Sequence, residues 1–336
     1  MKKIKDILKE RILVLDGAMG TMIQSHNLTE KDYRGTDLKD HPMSLLGNND
    51  LLSVTQPEII KGVHAAYLEA GADIIETNTF SATSIGMADY GLEQWVYKIN
   101  VESAKIATEM AQRFTQQNLN KPRFVAGSIG PTNKTASMSP DVNNPGYRAI
   151  TFDELVTAYS EQILGLKEGG VDILLIETIF DTLNAKAALF AVSQIKKQHQ
   201  WEVPVMVSGT ITDASGRTLS GQTVGAFHIS LQHMDLLSVG FNCALGADQL
   251  LPYVKELARL SDTYISAHPN AGLPNAFGQY DQSPDEMQTL IQAYLDQNVV
   301  NIIGGCCGTT PEHIEKIATI ATKATPRLIQ NSPYVS

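Results

Sequence analysis

Cysteine is scarce in this sequence, with three residues in 336. That number is odd and too small for the disulfide framework of a small secreted domain. Cations are outnumbered as well, 26 Lys and Arg against 36 Asp and Glu, for a net charge of −10. A nucleic-acid partner is therefore not expected, because binding a phosphate backbone rests on neutralising cations. No apolar run approaches the ~20 residues that span a bilayer. The opening MKKIKDILKE is charged and helix-like and lacks the apolar core of a signal peptide. The expectation is a soluble cytoplasmic protein without a membrane partner. Several chemical signatures are missing too: no GxxxxGK[ST] phosphate loop, no GxGxxG, and no HExxH or HxH pairing among the eight histidines.

What the chain does have is rhythm. Short apolar runs alternate with helical-period stretches along almost the whole length. The strand-like runs are 12–18, 73–79, 123–130, 172–178, 203–210, 236–243, 264–270 and 301–307. Several, such as DIIETNT, DILLIET and NIIGGCC, are nearly continuous in Ile and Leu, as parallel strands buried on both faces are. Amphipathic stretches at 56–70, 152–169, 182–197, 285–297 and 311–323 read as helices. Thr310-Pro311-Glu312 combines an N-cap hydroxyl, a proline at the first helical position and an acid in the first turn. Strict alternation predicts a parallel sheet, and eight strand–helix units predict a closed (β/α)8 TIM barrel rather than an open sheet. Such a barrel takes about 250 residues. The surplus falls in three long polar loops, 25–53, 131–151 and 211–222, each following a strand and so lying at the catalytic mouth. The expected organisation is one domain over residues 1–325, with 326–336 a tail or cut linker.

In this fold the chemistry gathers at the C-terminal ends of the strands. Reading those ends gives Asp16-Gly17, Glu76-Thr77, Ser128, Glu177-Thr178, Thr210, Asn242-Cys243, His268 to Asn270, and Cys306-Cys307. A free cysteine is commonly a small core residue. Here all three thiols fall at the ends of strands six and eight, next-but-one neighbours on the rim, within reach of one ion. Three thiolates with an open fourth position suit zinc, open as catalytic rather than structural sites are. Adjacent residues of a regular strand point to opposite faces, so Cys306 and Cys307 can share an ion only where the strand ends. Gly304, Gly305 and Gly308 allow that. Three thiolates leave the zinc site at −1, a poor generator of hydroxide. A fourth, brought by a substrate, is electron-rich sulfur with a lowered pKa. The set favours alkyl transfer to sulfur over hydrolysis. DGAMGT is a tight turn whose N–H groups can hold a carboxylate, and Asp16 and Glu177 are two rim carboxylates able to bind an ammonium group. His268, the one histidine at a strand end, is read as structural.

The segments ILVLDGAMGTMIQ, EAGADIIETNTF, VAGSIGPTNKTASMSPDVN, IETIFDTLNAKAA, SGTITDASGRTLSGQ, FNCALG, AHPNAGLPNAFGQYD and NIIGGCCGTTPEHI occur in this order. Together they resemble the zinc-dependent homocysteine methyltransferase family, and within it the N-terminal homocysteine-binding domain of cobalamin-dependent methionine synthase. The resemblance covers residues 12–323. It implies zinc held by Cys243, Cys306 and Cys307, with the homocysteine sulfur as fourth ligand. Asp16, Gly17, Thr77 and Glu177 would hold the amino and carboxylate ends of the substrate. Asn270, the Asn of AHPNAG, would fill the open zinc position before substrate arrives. The implied methyl donor is methylcobalamin, recharged from 5-methyltetrahydrofolate on cobalamin- and folate-binding modules of the same or a partner chain. No cobalamin-ligating D-x-H-x-x-G run occurs here. Two alternatives stay open: a standalone homocysteine S-methyltransferase using S-methylmethionine, and a non-catalytic zinc module. The second would need a fourth protein ligand to close the site, and there is no fourth cysteine.

Overall fold

The eight apolar runs become eight parallel strands: β1 Leu13–Val14, β2 Ile74–Glu76, β3 Phe124–Ile129, β4 Ile173–Ile179, β5 Val205–Gly209, β6 Ser238–Gly246, β7 Tyr264–Asn270 and β8 Ile302–Ile303. They are seen in a computed structural model that describes residues 3–212 and 215–329. The order is β1-β8-β7-β6-β5-β4-β3-β2. Across the remaining seam a parallel bridge pairs Leu15 with Ile74. Two backbone bonds, Asp73 N–H to Val14 O at 2.7 Å and Asp16 N–H to Ile74 O at 3.0 Å, complete the circle. The expected single-domain TIM barrel is what forms.

Period-two alternation divides the strand residues between two cores. One set, including Leu13, Leu15, Ile74, Phe124, Ile173, Leu175, Met206 and Ile302, fills the barrel's interior. The helix Ile4–Glu10 plugs the lower end by adding Ile4, Ile7 and Leu8 to the same cluster. The other set, with Val14, Ile75, Val125, Leu174, Val207 and Ile303, packs under the surrounding helices. Moving up, the inward column changes character. Glu76 follows Ile74, Ser128 follows Ala126, Glu177 follows Leu175 and Ser208 follows Met206, all buried or nearly so. The site therefore rests on an apolar floor.

Helices form at Pro57–Glu69, Phe152–Gly169, Thr182–His199, Pro284–Asp296 and Pro311–Ala321, within two residues of the expected ends. Capping boxes at Thr151/Glu154 and Ser283/Glu286 start two of them. Five strands are shorter than their apolar runs, most of all β1, β2 and β8, which end before Asp16, Thr77 and Gly304. The stretch 25–53, expected as a polar loop, instead carries the short helices Glu30–Arg34 and Leu52–Thr55. Tyr33, Leu38, Leu45 and Leu51 within it bury a satellite core against the helix Val96–Gln117. At the other end the chain stays packed past residue 325. The Arg327 guanidinium donates to the carbonyls of Ala258, Ser261 and Thr263, and Asn301 Nδ2 donates to Arg327 O at 2.7 Å. Of the expected tail, residues 330–336 lie outside the described residues, as do 213–214 of the loop 211–222. Among the described residues no helix is long and apolar enough to cross a membrane.

Candidate metal centre and substrate cage

Asn242 points into the barrel, so regular alternation would send Cys243 outward. A kink prevents it. Cys243 and Ala244 are both left-handed, at φ 61° and 57°, and the β6–β7 register shifts between Asn242 and Gly246. Such backbone costs of order 1–2 kcal/mol per non-glycine residue and persists only where the surroundings impose it. From the other side β8 ends at Ile303 and the chain runs through two glycines to Cys306 and Cys307. Cys306 N–H donates to Pro269 O at 2.8 Å and Ala271 N–H to Cys307 O at 2.9 Å, pinning this loop to β7. Gly308, at φ 79°, turns the chain where a Cβ would strike the Tyr280 side chain.

The three Sγ atoms lie within 4.8 Å of one another, with Cys243 and Cys307 at 3.7 Å. A tetrahedral zinc with bonds of about 2.3 Å needs sulfurs about 3.8 Å apart. Zinc therefore fits with little adjustment. The thiols also compete for charge. Those of Cys243 and Cys306 donate to Cys307 and hold its pKa down, to about 3, with the Tyr280 hydroxyl adding to the effect. Cys306 is pushed up by sharing with Cys243 and Cys307 and by burial. A divalent cation lets all three ionise, which couples metal binding to proton release.

Below the sulfurs sit three carboxyl groups. Asp16 and Glu177, expected on the rim, are only 2% and 4% exposed. The third is Glu76, whose side chain hydrogen-bonds to Glu177. Its N–H donates to Asp16 Oδ2 at 3.0 Å, and the Ser128 hydroxyl donates to Glu177 Oε1. Asp16 Oδ1 is buried with no hydrogen-bond partner among the described residues. Burial raises all three pKa values, that of Glu177 to about 7, and the mutual repulsion of the group adds to it at Asp16 and Glu76. Asp16, Glu76, Glu177 and the cysteines share one cavity of about 790 Å³. Five carboxylates line it, Asp50 and Asp89 being the others, and no Lys or Arg does among the described residues. No Lys or Arg among the described lining residues offsets these acids, and an ammonium group, with three N–H donors, is of the chemistry that would complement them.

The raised Glu177 pKa makes an expected result. Below pH 4.5 this carboxyl is protonated whether the chain is folded or not. Between 4.5 and about 7 the unfolded chain loses a proton that the folded one keeps, so its contribution to stability falls as pH rises through that window. Glu177→Gln is exempt. Relative to wild type, the substrate-free variant is expected to gain thermal stability from pH 5 to pH 7.5. A constant difference in melting temperature across that range would contradict the buried-acid description.

Gly17 and Thr77 also line the cavity. A Cβ on Gly17 would stand 2.7 Å from Thr309 Oγ1 and 2.8 Å from the Tyr67 ring, so only glycine fits this turn. Thr77 is engaged within the protein: its Oγ1 accepts Ser128 N–H at 3.0 Å and meets Thr79 Oγ1 at 2.7 Å. Asn270 lies on β7 beside the cysteine loop, buried, with Oδ1 unpartnered among the described residues, but it does not line the cavity. His268 does line it, with Nε2 unpartnered among the described residues and its pKa pulled down to about 3 by burial. Sequence reasoning passed over Glu76 as a site residue although Ile74, two places earlier, set its direction. For Tyr280, in an irregular loop, no sequence signal existed.

A parallel eight-stranded barrel with a three-thiol cluster able to hold a metal ion, sharing one cavity with buried carboxyls, is the class these features define. The sequence matches the homocysteine S-methyltransferase family over residues 13–321, and the chain belongs to that family. Among solved structures, the metallated form of the homocysteine methyltransferase MmuM from Escherichia coli is similar at a TM-score of 0.72 and 22% identity, covering 94% of this chain and 99% of that one. Its apo form matches at 0.67 and 21%, covering 95% and 98%. A 2-naphthoyl-CoA reductase matches at 0.50 and 12% identity over 82% of this chain and 49% of that one. Likeness at these identities is a likeness of fold.

Proposed function

We propose that this chain is the homocysteine-binding methyltransferase unit of a cobalamin-dependent methionine synthase, moving a methyl group from methylcobalamin to the homocysteine sulfur to give methionine. The observation that carries this reading is the single cavity in which three converging thiols face three buried carboxyls. Cys243, Cys306 and Cys307 would hold zinc, which when bound lowers the pKa of the substrate thiol and keeps it nucleophilic at neutral pH. Asp16 and Glu177, with Glu76 between them, take the ammonium group. The turn at Gly17, on the wall of the same cavity, would take the substrate carboxylate on backbone N–H. Held at both ends, the substrate points its sulfur toward the open mouth.

Delivery through that mouth is supported by what surrounds it. Leu46, Phe80, Val142, Leu219, Leu273 and Phe277 are exposed on loops that follow β1, β2, β3, β5 and β7. Large apolar side chains gathered around one opening suit the docking of another module, here one carrying methylcobalamin, with 5-methyltetrahydrofolate as the ultimate methyl source. A second reading has its own support. Asp50 and Asp89 extend the acidic wall beyond the cage, which suits a small cationic donor such as S-methylmethionine. Purified zinc-loaded protein given homocysteine with methylcobalamin, with S-methylmethionine, or with neither separates the readings. Methionine only with methylcobalamin is expected; methionine only with S-methylmethionine would overturn the cobalamin assignment.

A further inference from the structure

Asn242 is fully buried at the inward face of β6. Its amide oxygen accepts from the Ser208 hydroxyl at 2.6 Å and from Thr178 N–H at 3.0 Å. Its amide nitrogen donates to Thr178 Oγ1 at 2.8 Å and reaches Cys306 Sγ at 3.9 Å. The orientation is forced, because Thr178 N–H can only donate and so must face the oxygen. With two donors and two acceptor positions taken, the side chain has no capacity left over.

Its partners are not a random selection. Thr178 lies on β4, two strands away across β5, and directly follows Glu177. It is left-handed at φ 54°, within the β4–β5 register shift between Ile176 and Ile179. Cys243, the residue after Asn242, is left-handed as well. Non-glycine residues hold such angles only when their neighbours over-determine them. One amide thus clamps the backbone beside Glu177, touches the sulfur of Cys306 and precedes the kink that turns Cys243 inward.

We propose that Asn242 is a positioning residue that couples the thiol end of the cavity to its carboxyl end, a proposal that rests on reading the cysteines as metal ligands and Glu177 as an ammonium partner. Outer partners of metal ligands orient them and tune their donor strength, and replacing one costs roughly ten- to a hundredfold in metal affinity or activity. Asn242 does this for Cys306 while fixing the strand end that presents Glu177. Aspartate has the same shape but lacks the NH2 donors, so it would face Cys306 Sγ and Thr178 Oγ1 with oxygen.

The test uses the whole protein with Co2+ as the metal probe, read by its thiolate-to-cobalt charge-transfer bands and by homocysteine titration. Asn242→Asp is expected to shift the bands and to weaken both Co2+ and homocysteine binding by about tenfold or more. Thr178→Val, which touches no sulfur, is expected to shift the bands too, because it removes the Oγ1 acceptor that fixes the NH2 group facing Cys306. It also keeps the test alive should the aspartate variant fail to fold. Ser208→Ala removes a brace on the same oxygen but leaves both NH2 contacts, and should change bands and affinity little at a comparable loss of thermal stability. Native bands in Thr178→Val, or equal shifts in all three variants, would overturn the coupling. Absence of such bands in wild-type protein would overturn the metal reading itself, and the proposal with it.

Discussion

Replacing Cys243, Cys306 or Cys307 by alanine is expected to drop bound zinc well below one ion per chain and to abolish methyl transfer, while the barrel stays folded. The three sulfurs are the only cluster of three or more His, Cys, Asp or Glu ligand atoms among the described residues that could hold a metal ion. Two thiolates and a water are a far weaker set for zinc than three thiolates and the substrate's sulfur. Folding should survive because the thiols are only partly buried at the mouth, whereas the apolar floor and the helix Ile4–Glu10 close the barrel from below. Metal analysis and circular dichroism on the same samples check both halves. Full zinc retention in any one variant would remove that cysteine from the ligand set.

Glu177→Gln is expected to weaken homocysteine binding without altering zinc content. A zinc–thiolate site alone accepts many small thiols, so selectivity for an amino acid has to come from the cage. The glutamine keeps the shape and the Ser128 hydroxyl partner but, being neutral, offers no charge to an ammonium group. Losing a hydrogen bond of that kind costs roughly 1.5–3 kcal/mol, or about ten- to a hundredfold in affinity. Unchanged affinity would shift the ammonium to Asp16 and Glu76 alone. The same substitution is the one expected to stabilise the substrate-free protein at neutral pH, so binding and stability should move in opposite directions. That opposition is the mark of a charge buried for a ligand.

How much of this was legible in the sequence follows from what each signal depends on. The barrel was readable because alternation and apolar continuity are local, and all eight runs became strands. The cysteines were readable because strand order alone brings the ends of β6 and β8 close. Depth was not. Asp16 and Glu177 were read at their strand ends, but their burial depends on what the neighbouring strands and loops lay over them, which no single run encodes. Glu76, by contrast, was legible in direction from Ile74, but nothing local says that three carboxyls meet in one cavity. The inward turn of Cys243 depends on two left-handed residues without a glycine to announce them. The stretch 25–53 misled because its mean polarity hid the few apolar residues that build the satellite core.

The central claim is that homocysteine binds here through its deprotonated sulfur, and proton counting tests it most directly. The free thiol, near pKa 8.5 by analogy with cysteine, is mostly protonated at pH 7. Binding as a thiolate must therefore expel close to one proton. The cage adds a further share, because an arriving ammonium group favours ionisation of Glu177, poised at about 7. Calorimetry in buffers of different ionisation enthalpy measures the total, and 2-aminobutyrate, which lacks the sulfur, measures the cage alone. Homocysteine is expected to release about one proton more than this analogue. Equal release by the two ligands, with homocysteine bound tightly, would mean that the sulfur stays protonated or never reaches the cysteines, and would contradict the account.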